Sequence, residues 1–168
     1  MKRLLHTTIL GLLVAMTVAC QADADKTAAP ATGKAADSVT VENPFVRAIP
    51  PGQPNSASFM TLVNTSDSDH SIKSAASPVA ATVELHTHTN NNGVMEMRQV
   101  PQIDVPAKGR TELKPGGLHV MLIGLQQELK VGETAAITLT FEDGSTTTVN
   151  APIQEVMPAA GAGHMQGM

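Results

Sequence analysis

The sequence predicts an all-β domain, a sandwich or a barrel. Two observations predict it. From about residue 38 to residue 153 the chain is a series of short apolar or alternating runs punctuated by turn residues. No amphipathic helix longer than about ten residues can be traced. Many short strands at regular turn spacing make a sandwich or barrel the matching architecture.

The elements follow in order. Val39, Val41, Phe45 and Val46 form the first run, with Pro44 expected to break it. Pro50-Pro51-Gly52 marks a turn. Ala57 to Val63 is a strand closed by Asn64-Thr65-Ser66-Asp67, and His70 behind it reads as loop surface. Val79 to Thr89 ends at Asn90-Asn91-Asn92-Gly93, a hairpin signal that returns the chain as Val94 to Val100. Thr111 to Leu113, Leu118 to Leu125, Ala135 to Phe141 and Thr146 to Ile153 complete the set, the last two joined at Asp143-Gly144.

The remaining segments read differently. Residues 1–24 look like a signal peptide, with Lys2 and Arg3 before the apolar run Ile9 to Val18, which is too short for a stable membrane anchor. Export is the expectation. Cys20 is the only cysteine. It is either the lipidated first residue of a lipoprotein, after Val18-Ala19, or part of a leader removed further on, and both readings stand. In either case the domain holds no disulfide and no thiolate ligand. Residues 25–37 are expected to be a flexible linker, 38–153 the domain, and 154–168 a flexible tail bearing His164, Met165 and Met168.

Composition excludes some functions. A formal net charge of −4 provides no basic footprint for nucleic acid. The three Phe are the only aromatics, so base stacking is not expected. The nine Met are many for this length, yet Met is commonly a core filler, so only position can assign them a role.

Strand parity gives the positions, since residues i and i+2 share a face. Val83 and Leu85 point one way and Glu84, His86 and His88 the other. Met95 and Met97 share a face across the hairpin. His119 and Met121 oppose Leu118, Val120 and Leu122, and lie about 7 Å apart along the strand. Taken singly, each has an ordinary reading: a solvated strand histidine or a partly buried Met. Together, three strands present His and Met on non-core faces, and two of these strands share a tight turn.

The joint spacing is H-x10-M-x21-H-x-M over His86, Met97, His119 and Met121. With Val83-Glu84-Leu85-His86, Gly93 to Arg98, Pro115 to Leu122 and Leu139 to Glu142 in order, the chain resembles the periplasmic copper chaperones of the PCuAC type over about residues 43–153. Val46 to Gly52 fits as well, although Phe45 stands where Trp is frequent. The resemblance implies a cupredoxin-like Greek-key barrel and copper(I) held by His86, Met97, His119 and Met121. It also implies delivery to the copper-centre subunit of cytochrome oxidase, with a Sco-type partner. Some family members carry His- and Met-bearing C-terminal extensions associated with Cu(II), which would give His164, Met165 and Met168 a secondary copper role.

The donor chemistry agrees. Thioethers are soft and select Cu(I), and imidazole is acceptable to it. Four neutral ligands leave only the single charge of Cu(I) to be buried. Blue-copper electron transfer needs a thiolate that is absent here. No added acid, base or substrate pocket is legible, so a carrier is expected rather than an enzyme. A monomer is expected, touching a membrane only through Cys20 if that residue is lipidated. The alternative function is copper sequestration, with the same site and no recipient.

Overall fold

The computed structural model describes residues 33–156, Asn92 apart. A short helix, α1 (Ala35–Ser38), leads into ten strands. These are β1 (Val39–Arg47), β2 (Asn55–Asn64), β3 (His70–Ala76), β4 (Ala80–Asn91) and β5 (Val94–Gln99), followed by β6 (Ile103–Val105), β7 (Arg110–Leu113), β8 (His119–Leu125), β9 (Thr134–Phe141) and β10 (Thr146–Gln154). The all-β expectation holds. The hydrogen-bonded order is β5-β4-β8-β2-β1-β10-β9-β3-β6, with β7 beside β2. β5 and β6 are the free ends of this path, so of the two architectures expected the open, sandwich-like one matches. β1 and β10 pair in parallel at Val46↔Ile153, which joins the two halves of the path. One core serves both halves: Leu62, Leu85, Val120 and Leu122 from one, Ile72, Ile137, Leu139 and Phe141 from the other.

Pro44 does not break the first strand. It bulges it. Asn43 takes φ 50°, and the register with β2 shifts between Glu42↔Thr61 and Phe45↔Phe59. Two residues of β1 therefore face one of β2, and the missing proline N–H falls at the gap in the ladder. The shift sets Phe45 against Phe59, with ring centroids 5.1 Å apart.

Three other expectations are corrected. The linker expected to run flexibly to residue 37 is docked at its end: Ala35 is fully buried. Its N–H donates to Asp143 Oδ2 at 2.8 Å, and the Ala36 N–H donates to Ser145 Oγ at 3.0 Å. The β9–β10 turn thus satisfies free N–H groups of the helical turn. Second, His70 is not loop surface. It starts β3, buried, with Nδ1 donating to Glu142 Oε1 at 2.7 Å and Nε2 lying 3.1 Å from Ser66 Oγ. Partial burial works to raise the Glu142 pKa, but the bonds from His70 and from the Ser71 N–H outweigh it and hold the carboxyl below its ordinary value. Third, β3 and β6 have no counterpart among the expected strands. Ser71-Ile72-Lys73-Ser74-Ala75-Ala76 has one strong strand former, and β6 has three residues, so tertiary pairing makes both.

Candidate metal centre

The centre lies where β5, β4 and β8 run side by side. The two-residue turn after Asn91 fixes β4 against β5, with Asn91↔Val94 and therefore His88↔Met97 and His86↔Gln99. On its other side β4 pairs with β8, with His86↔His119 and Glu84↔Met121. β2 follows with Ala57↔Met121. Because every partner pair shares a face, one side of this sheet carries His86, His88, Met97, His119, Met121 and Phe59 together. Leu85, Val120 and Leu122 take the opposite side, in the core.

Burial grades across the centre. His119 is 1% exposed, the His86 side chain 13%, and Met97, on the edge strand, 46%. The His119 ring packs against His88 at 5.0 Å, His86 at 5.8 Å and Phe59 at 6.2 Å between centroids. Ring orientation is set by main chain and by one carboxylate. The turn Lys114–Leu118 closes through Lys114 N–H to Leu118 O at 2.9 Å and Gly117 N–H to Lys114 O at 3.0 Å. Gly116 has φ 79°, a conformation that favours glycine. The Gly117 carbonyl then accepts from the His88 N–H at 3.1 Å and from His119 Nδ1 at 3.0 Å. A carbonyl can only accept, so His119 carries its proton on Nδ1 and keeps the Nε2 lone pair free. His86 Nε2 lies 2.7 Å from Glu84 Oε2, which by the same logic frees Nδ1. Nδ1 of His86 and Nδ1 of His88 are buried and have no hydrogen-bond partner among the described residues. Such atoms are uncommon in a native fold, and a bound ion is one way to satisfy them.

A cavity of about 240 Å³ opens at this place. Met97, His119 and Met121 line it, together with His88, Phe59 and Arg47. Of the four residues assigned by spacing, the structure therefore gathers three in the cavity wall, with His86 flanking His119. His164, Met165 and Met168 lie outside the described residues. Met95 faces Asn90 and is exposed, away from the cavity. A larger cavity of about 570 Å³, between Pro50–Pro54 and Gln126–Lys130, has no His or Met in its wall. Among the described residues no three His, Cys, Asp or Glu side chains form a cage.

Sequence reasoning passes over His88 as a ligand. The signal is present: its parity matches His86, and the Asn-Gly turn register puts it opposite Met97. Arg47 and Phe59 are also missed, because they come from β1 and β2, whose placement depends on the bulge at Pro44.

Burial lowers the His119 pKa. The bond to Gly117 works the other way, but His88, His86 and Arg47 add to the lowering. His119 is thus neutral, and fit to donate to a metal, at neutral pH. An unfolded histidine takes a proton near pH 6.5, whereas folded His119 resists it. The stability that comes from keeping His119 neutral is present above pH ~6.5 and is lost as pH falls through its lower folded pKa. Denaturant titrations of the metal-free protein should show stability falling from pH ~7 to pH ~5, with a shallower fall in His119→Gln. Equal slopes for the two proteins would refute this assignment.

The all-β fold is that of solved PCuAC-type domains. The chain belongs to the LpqE-like family ("Putative lipoprotein LpqE-like"), whose model matches residues 39–153. It is 34% identical over 150 residues to "Putative lipoprotein Lxx21020" of Leifsonia xyli subsp. xyli, covering 89% of this chain and 88% of that protein. The Cu(I) solution structure of DR1885 from Deinococcus radiodurans is 40% identical, at a TM-score of 0.58, over 71% of this chain and 82% of that one. The copper-bound PCuAC domain from PmoF2 is 25% identical, at a TM-score of 0.62, over 73% of this chain and 97% of that domain.

Proposed function

We propose that this protein is a periplasmic copper(I) carrier that holds one ion through His86, Met97, His119 and Met121. It delivers that ion to the copper-centre subunit of a respiratory oxidase. One observation carries the reading. A buried, neutral imidazole with its Nε2 free shares a small, largely apolar cavity with two thioethers, and no carboxylate lines that cavity. This donor set suits a soft monovalent ion, and the nearby Arg47 charge weighs further against a divalent one. The copper-bound neighbours support it. Met97, half-exposed on an edge strand, offers the route by which the ion leaves.

Copper here is cargo, and the protein acts as a carrier, not an enzyme. The lipoprotein name of its relative supports export, and with it an anchor at Cys20. A Sco-type protein is the expected partner in delivery. The test is transfer. The Cu(I)-loaded chain should metallate a purified apo-oxidase copper domain, and a chain lacking the His119 and Met121 side chains should not. Protection of cells from excess copper with no transfer would replace delivery by sequestration.

The tail belongs to the same proposal. His164, Met165 and Met168 would hold a second, weaker copper ion, Cu(II), and raise its concentration near the main site, as a tethered module does. Two copper equivalents are expected for the exported protein and one after truncation at Pro158, with slower loading of the truncated form. Equal stoichiometry and equal rates would leave the tail without that role.

A further inference from the structure

We propose that His88 is a copper ligand of this cavity, so that Cu(I) can be held on two overlapping donor sets. One takes its first imidazole from His86 and the other from His88. This deepens the carrier reading and rests on it.

The placement of His88 carries the inference. It lines the cavity beside Met97, His119 and Met121, which His86 does not. It stands directly opposite Met97 in the β4–β5 ladder, whereas His86 stands opposite Gln99. Its ring stacks on that of His119, centroids 5.0 Å apart and planes 30° from parallel. Its Nδ1 is buried and has no hydrogen-bond partner among the described residues. A buried ring nitrogen without a partner is destabilising, and in the tautomer that leaves it unprotonated an ion in the cavity would satisfy it. His86 is held differently, tied by Nε2 to Glu84, with its ring centroid 5.8 Å from that of His119.

The two histidines are two residues apart on one strand and face the same way, and both rings pack against His119, at 5.8 Å for His86 and 5.0 Å for His88, so an ion held on His119 could take either as its next donor. Exchange of His86 for His88 changes one nitrogen donor for another of the same type. The net charge and the thioether ligands stay as they were. The ion can therefore shift from the inner β8 side toward the hairpin edge without becoming bare at any point. That shift shortens the path to a recipient approaching along β5.

The test is a double-mutant cycle read by competition with a Cu(I) chelator on the full chain. Each of His86→Ala and His88→Ala should weaken Cu(I) binding by about tenfold or less, because the other imidazole substitutes. The double variant should lose about a thousandfold or more, far beyond the product of the single effects. A His88→Ala protein that binds as the parent does, with a double variant no weaker than His86→Ala alone, would overturn the proposal. A second measurement stands clear of any folding defect. The imidazole nitrogen signals of His88 in the unsubstituted protein should move on addition of one equivalent of Cu(I), and unmoved signals would also overturn it. A parent chain that takes up no Cu(I) would bring down the carrier reading and this proposal with it. Binding that depends on His119 and Met121 but not on His88 would bring down this proposal alone.

Discussion

Replacing His119 and Met121 together by Ala should lower Cu(I) affinity by about two orders of magnitude or more, a loss of ~3 kcal/mol or greater. Both donors leave the same cavity, and Met97 with His86 and His88 cannot complete a four-coordinate soft site. The two residues differ in what else they do. His119 is buried against Phe59, His86 and His88, so its truncation also opens a void and leaves the Gly117 carbonyl with one bond fewer. A destabilisation of roughly 1–3 kcal/mol is expected from that alone. The affinity measurement therefore goes with a circular dichroism melt. Met97→Ala with Met121→Ala serves as the companion variant, since Met97 is half-exposed and its loss disturbs little packing. Unchanged Cu(I) affinity in both folded double variants would end the assignment of this cavity as the copper site.

Cu(I) should also stabilise the domain strongly. A ligand that binds the folded chain and not the unfolded one adds about 4 kcal/mol when its free concentration is a thousandfold above Kd. For a β-domain of this size that corresponds to a rise in Tm of about 10 °C or more. The cause lies in assembly: the donors come from β4, β5 and β8, which pair only when the sheet forms. The unfolded chain keeps only near neighbours such as His119 and Met121 close, and the full donor set spans residues 86–121. Thermal scans under reducing conditions with buffered Cu(I) would measure the shift. The His119, Met121 double variant should lose most of it. An equal shift in that variant would place the stabilising ion elsewhere.

Much of this centre is legible in the sequence. Strand parity alone puts His86, Met97, His119 and Met121 off the core face, and the asparagine-rich turn joins two of the three strands correctly. Parity does not convey depth. His119 is off the core face yet nearly inaccessible, because Phe59 from β2 and the glycine turn before β8 cover it. The Phe59 contact is long-range and has no local signature. Spacing likewise favours His86 over His88, although the hairpin register brings His88 to the cavity wall. Outside the centre, Pro44 reads as a stop because a proline cannot donate to a ladder. The bulge at Asn43 removes that conflict, and the strand continues through it. His70 reads as loop surface because its neighbours are Ser and Asp. Its actual partner, Glu142, comes from the far end of the chain.

The uneven exposure of the two thioethers has a consequence for chemical durability. Met97 sits at the rim on an edge strand, whereas Met121 lies within the wall between β4 and β2. Peroxide arriving from solvent meets Met97 first, and its conversion to the sulfoxide replaces a soft donor by a polar, oxygen-bearing group. Met97 would then be lost as a sulfur ligand while His119 and Met121 stayed intact. Oxidative damage would therefore begin at the rim sulfur, and repair by a methionine sulfoxide reductase would have an accessible target there. If Met97 is the ligand proposed here, its position at the sheet edge would make copper binding sensitive to surrounding oxidant.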